Sequence, residues 1–236
     1  MWCELPGRWL GNAAITNYGC RIFRGLGITL ELVGISVSLG LLLGVLLALA
    51  RLSRVPPLAA AARGYMAFFR GTPLICQLFL VYYGAGQFRP FLDSLGLWGL
   101  FREAYFCAAF TFTLNTAAYQ AEIFRGAILS VPKGQIEAGK ALGLHGPAIF
   151  LRIVVPQAAM IALRPLGNEL VIMVKSSAVA SLVTLYDLMG ATRVAFARSF
   201  DLSVYLFAAV LYLFIVETIR RLWDAAERRL TRHLPT

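Results

Sequence analysis

Charge is what this 236-residue chain has least of. Only 14% of its residues are Asp, Glu, Lys or Arg, against about a quarter in an ordinary soluble domain, and 59% are hydrophobic. That excludes a soluble globular protein and makes the long apolar runs membrane spans. Acidic residues are the scarcer sign, 12 against 22 basic ones, for a net charge of +10. The arginines flank apolar runs instead of striping a polar domain, so no nucleic-acid surface is implied and the charge is topological. Two histidines, His145 and His233, and four scattered cysteines, Cys3, Cys20, Cys76 and Cys107, form no C-x-x-C pair, metal cluster or disulfide framework. A G-x-x-x-x-G-K-[ST] loop is absent as well, which excludes nucleotide binding by that route. The first 25 residues have no uninterrupted apolar core leading to a small-residue cleavage site, so no cleaved signal peptide is expected.

What is present is a set of five apolar stretches. A helix needs about 20 mostly apolar residues to cross a hydrocarbon core of roughly 30 Å. Residues 26–50, 65–83, 105–121, 153–174 and 202–219 are the expected spans. The fold class is therefore an all-α polytopic membrane protein, with one transmembrane domain over 1–236 and no internal repeat. Arg70-Gly71-Thr72-Pro73 is expected to kink the second span, and Arg164-Pro165 to break the fourth. The stretch RRLWDAAERRL reads as a short surface helix ending the fifth. Five spans put the termini on opposite sides. The loops after spans one and three and the C-terminal tail hold 12 Lys and Arg, and the opposite side holds 8. Positive residues favour the cytoplasm, so the N-terminus is expected outside and the C-terminus inside.

This topology leaves residues 131–152 as a cytoplasmic loop with an unusual pattern. Val131-Pro132-Lys133-Gly134 leads into one short helix, Gln135 to Leu142. Gly143 suits the left-handed conformation that ends a helix. His145-Gly146-Pro147 then begins a second helix, with proline at home in its first turn. Ala138, Gly139 and Ala141 let another backbone approach closely, and Glu137 adds a directional charge. An ordinary interfacial loop that binds nothing is the plainer reading. The run from Glu137 to Pro156, however, resembles the cytoplasmic loop of bacterial ATP-binding-cassette importer permeases. That pattern is E-A-A, three residues, Gly, nine residues, Ile, one residue, Leu-Pro. Glu137, Ala138, Gly143, Ile153 and Pro156 fall on it, while Gly139 and Val155 depart from it conservatively.

A second set of residues narrows the resemblance. Phe68-Phe69-Arg70-Gly71-Thr72-Pro73-Leu74 is similar to segments of polar amino acid permeases of the histidine, arginine and opine type. So are Asn115-Thr116-Ala117-Ala118-Tyr119 and Gly167-Asn168-Glu169 with Lys175-Ser176-Ser177. The resemblance implies a type I importer fold and transport without chemistry of its own. It also implies a separate cytoplasmic ATPase dimer that binds ATP and Mg, leaving this chain without a cofactor. A second permease chain, identical or homologous, and an extracytoplasmic substrate-binding protein complete the implied assembly in the bacterial inner membrane.

Polar residues within the spans are costly unless they face protein, water or a cation. Asn168 and Glu169 are therefore the leading substrate-path candidates, offering hydrogen bonds and a negative charge to a cationic group. Gln77 and Asn115 are weaker candidates, since such residues also tie helices together. The competing reading is a secondary transporter or channel with no ATPase. A membrane-embedded enzyme is a third, with no nucleophile–base pair or paired carboxylates to support it.

Overall fold

The computed structural model describes residues 2–230; Arg232 and His233 lie outside them. Among the described residues there is no strand. The chain runs through α1 (Leu5–Trp9), α2 (Ala13–Leu52), α3 (Pro56–Gly71), α4 (Leu74–Gln87), α5 (Arg89–Ser94), α6 (Trp98–Phe101) and α7 (Ala104–Leu129). It continues through α8 (Lys133–Ala141), α9 (Gly146–Ile149), α10 (Val155–Ser176), α11 (Leu188–Ser199) and α12 (Ser203–Leu230). A π-helical segment, Phe150–Val154, joins α9 to α10.

α2 starts where Asn12 Oδ1 accepts the Ile15 amide at 2.8 Å, a side-chain cap for an otherwise orphan donor. Its 40 residues make it about 60 Å long, twice a hydrocarbon core, so residues 26–50 are only its later part. Ser36, Gly40, Gly44 and Ala48 recur at every fourth position and are all buried. A Cβ on Gly40 would stand 2.5 Å from Thr116 Cγ2, and one on Gly44 would stand 3.2 Å from the Ala117 carbonyl. Only small residues allow this close approach of α2 to α7.

Among the described residues three helical stretches are long and apolar enough to cross a membrane, namely Ala13–Leu52, Gly146–Leu182 and Ser203–Leu230. α3 and α4 together would make a fourth, but they are bent by 103°. The expected kink thus falls at Thr72-Pro73 and is far sharper than a bend within one helix. α7, which holds the expected third span, is 26 residues long yet less apolar than those three. Its Thr111, Asn115, Thr116 and Gln120 are buried against protein, so it runs inside the bundle instead of against lipid.

Three expectations are corrected. Arg164-Pro165 does not break the fourth span, because α10 continues helical through Pro165. Proline costs one backbone donor there, and α12 braces the site: the Trp223 indole donates to the Leu163 carbonyl at 2.9 Å, and Arg164 pairs with Glu227 at 3.1 Å. The last span and the RRLWDAAERRL stretch form one helix, not two. Finally, Cys3 and Cys20 are joined in a disulfide. The chain reverses at Gly11, which has φ +61°, and folds its first turns onto α2, setting the Cys3 carbonyl against Gly19. Nothing in the 17-residue spacing signals that pairing.

Candidate functional site

The loop after α7 is an ordered two-helix knob. α8 ends in a Schellman motif centred on Gly143, whose φ is +75°. The Leu144 amide donates to the Gly139 carbonyl at 3.1 Å and the Gly143 amide to the Lys140 carbonyl at 2.9 Å, the paired bonds that close a helix around a left-handed residue. His145 then caps α9, its Nδ1 accepting the Ala148 amide at 3.3 Å. The left-handed role expected for Gly143 is therefore present, as is the proline in the first turn of α9.

The other motif residues divide between two faces. Glu137, Ala138 and Ala141 are exposed. Gly139 is buried, and a Cβ there would lie 2.8 Å from Ile153 Cδ1 and 3.3 Å from Ile149 Cγ1. Gly139 thus seats α8 on the following helix and is not offered to a partner, contrary to the role expected for it. Ile153 is the residue it seats on. Pro156 sits in the first turn of α10, directly after the π-helical segment. The widened turn admits a proline whose ring would crowd the carbonyl four residues back in a regular helix.

Underneath, Ala127, Val131, Ile149, Val154 and Ala158 share one apolar core, with Ile136, Leu144 and Ile153 packed on it. The knob is therefore continuous with the end of α7 and the start of α10. Two further contributors are absent from the expected set. Gln157 on α10 donates both to Gln135 on α8 and to the Ile153 carbonyl at 2.9 Å, tying the two elements through a side chain. Leu142, 81% exposed, is an apolar tip beside Gly143. Its place immediately before a left-handed glycine was the available signal, whereas the glutamine pair had none.

The span candidates also separate. Asn115 Nδ2 donates to Gln77 Oε1 at 2.9 Å and to the Phe69 carbonyl at 3.1 Å. Gln77 Nε2 donates to that same carbonyl at 3.0 Å and to Thr72 Oγ1 at 2.8 Å. In an unbroken helix the Phe69 carbonyl would take the amide of residue 73, but Pro73 has none. The two side chains replace the donor that the proline removes. Glu169 is buried and accepts from Thr116 Oγ1 at 2.9 Å, and Gln120 donates to that same hydroxyl at 3.0 Å. Gln77 and Asn115 therefore form one polar cluster between α4 and α7, and Glu169, Thr116 and Gln120 form a second between α10 and α7. Asn168, though adjacent to Glu169, points away and is exposed on the chain's surface.

Residues 40–232 match the family described as the inner membrane component of binding-protein-dependent transport systems. The chain belongs to that family. The nopaline transport permease NocM of Agrobacterium fabrum is 42% identical over 207 residues, 87% of this chain and 86% of its own. The octopine transport permease OccM of Rhizobium meliloti is 42% identical over 218 residues, 89% of each chain. The arginine ABC transporter permease ArtM of Escherichia coli K12 is 36% identical over 176 residues, 75% of this chain and 79% of its own. A solved amino acid ABC transporter with histidines superposes with a TM-score of 0.83 at 31% identity, covering 91% of this chain and 96% of that one. The methionine ABC transporter MetNI shares the fold, with a TM-score of 0.71 at 23% identity, 89% of this chain and 96% of that one. This permease is thus an inner-membrane transport subunit and not an enzyme. As in its family generally, it works with an ATPase and a substrate-binding protein.

Proposed function

We propose that this permease forms part of the path of an ATP-driven importer for a polar or basic amino acid (histidine, arginine, lysine or ornithine) or an opine. Relatives named for nopaline, octopine and arginine transport support that cargo class. The α8–α9 knob couples the path to a cytoplasmic ATPase dimer, which holds the ATP and Mg while this chain holds neither. A second permease chain, identical or homologous, and an extracytoplasmic binding protein complete the assembly.

The observation that carries the coupling role is the closed Schellman turn at Gly143 on a knob sharing its core with α7 and α10. A push on such a body passes to the spans without being absorbed by a soft hinge. The orientation follows: the knob lies in the cytoplasm and the N-terminus outside. The Cys3–Cys20 bond supports this, since disulfides persist in the periplasm and not in the cytosol.

The test is uptake of a labelled amino acid and opine panel into vesicles holding the permease with its ATPase, second permease chain and binding protein. Uptake is expected only with internal ATP. Gly143→Val, at a left-handed position costing about 1–2 kcal/mol for a side chain, is expected to abolish uptake while basal ATP hydrolysis persists. Uptake driven by an ion gradient and indifferent to ATP would overturn the reading.

A further inference from the structure

Four arginines from three helices converge on one cavity of about 230 Å³. Arg51 comes from the last turn of α2, Arg63 and Arg70 from α3, and Arg125 from α7, with Glu122 as the one carboxylate on the lining. Arg125 engages Glu122 through Nε at 3.2 Å and through a second, shorter bond from Nη2. Arg70 stands farther off, at 3.6 Å from Glu122 Oε2, with its guanidinium over the Tyr119 ring at 5.6 Å. Among the described residues Arg51 and Arg63 have no carboxylate partner. The lining therefore has three more guanidiniums than carboxylates.

A helix C-terminus attracts cations, which accounts for Arg51 and Arg70 one at a time. It does not account for Arg63 in the middle of α3, nor for all four arginines lining one cavity. Like charges on one cavity lining repel one another, and an anion bound among them offsets that repulsion. Guanidinium forks match phosphate oxygens in pairs, and basic pockets between spanning helices suit anionic head groups.

We infer that the Arg51–Arg63–Arg70–Arg125 cavity is a binding site for a phosphate-bearing anion, supplied by a phospholipid head group or by free phosphate. None of Gln77, Asn115, Asn168 and Glu169 lines it, nor does any residue of the knob. It lies where the bent α3 meets α2 and α7, so an occupant would pin α3 against the helix that leads into the knob.

The test uses the purified full-length permease in a non-ionic detergent, titrated calorimetrically with inorganic phosphate and with dihexanoyl phosphatidylglycerol, against chloride at equal ionic strength. Saturable binding is expected for the phosphate-bearing probes and not for chloride. Arg63→Gln and Arg51→Gln should each weaken it roughly tenfold, the value of one charge-assisted contact. Both side chains are unpaired, so the thermal midpoint in chloride should hold. Saturation by the lipid at concentrations where phosphate does not bind would assign the source to the membrane, and equal affinities would assign it to free phosphate. The proposal fails if binding is no stronger than that of chloride, or if both variants bind as the wild type does. It also fails if both titrations are unchanged in Arg63→Gln while the ATPase is lost from the assembly, because the arginines would then serve an acidic protein partner.

Discussion

Gly139 and Gly143 stand four residues apart and are required for different reasons. At Gly143 a Cβ would meet open space, so the constraint is the backbone angle alone. At Gly139 the backbone is ordinary helix and the constraint is the flexible tip of Ile153 at 2.8 Å. Gly139→Ala is therefore expected to cost under about 1 kcal/mol, because Ile153 can rotate aside, whereas Gly139→Leu should cost about 1–3 kcal/mol as overpacking. Thermal unfolding in detergent measures both, and Ile153→Ala should recover part of the Leu loss by opening space. The sequence announces Gly143, because a glycine after a run of helix formers has few other uses. It does not announce Gly139, because a small residue reads alike whether it faces a partner or a neighbouring turn.

Among the elements, the broken second span is the clearest case of a local signal with a tertiary completion. Pro73 marks the break at once. The groups that satisfy the freed Phe69 carbonyl come from α4 and from α7, the latter 46 residues away, and no spacing rule reaches that far. Asn115→Leu removes one donor from Phe69 and leaves Gln77 Oε1 without its partner. It is expected to lower stability by about 1–3 kcal/mol, read as a fall in thermal midpoint, with the KM for uptake unchanged. A raised KM at unchanged stability would instead make Asn115 part of the substrate path. α11 escaped the sequence reading altogether, being short and mixed in composition. Its cap, Asp187, is fully buried, with Oδ1 accepting the Gly190 amide at 2.8 Å and Oδ2 unpartnered among the described residues. Burial pushes the Asp187 carboxyl from 3.8 up to about 6, against the opposing hydrogen bond from Gly190. The folded state then holds its proton more tightly than the unfolded chain does, so stability falls as pH rises from about 4 to just above 6 and is level beyond. The wild type should unfold at a lower temperature at pH 7.5 than at pH 4.5. Asp187→Asn keeps a capping oxygen and should flatten that difference.

For the whole molecule, the question is how a displacement at the knob reaches the spans. Two links lead out of α8. One is the apolar core shared with α7 and α10, which resists compression but has no direction. The other is the Gln135–Gln157 hydrogen bond, which ties α8 to the first turns of α10 and resists sliding along that helix. α10 in turn joins α7 through Glu169 and Thr116 and α12 through Trp223 and Arg164. A knob held by the core alone could slip along α10 as the ATPase closes, whereas one held by both links must move it. Gln157→Leu keeps the apolar bulk and removes the tie. Because Gln157 is only partly buried, the loss of stability should stay within about 1 kcal/mol. The expected result in vesicles is near-normal ATP hydrolysis with fewer substrate molecules imported per ATP. Gln157→Glu, which still accepts a hydrogen bond from the Gln135 amide once that side chain flips, should restore much of the ratio. Equal transport per ATP in Gln157→Leu and the wild type would mean that the shared core alone transmits the stroke.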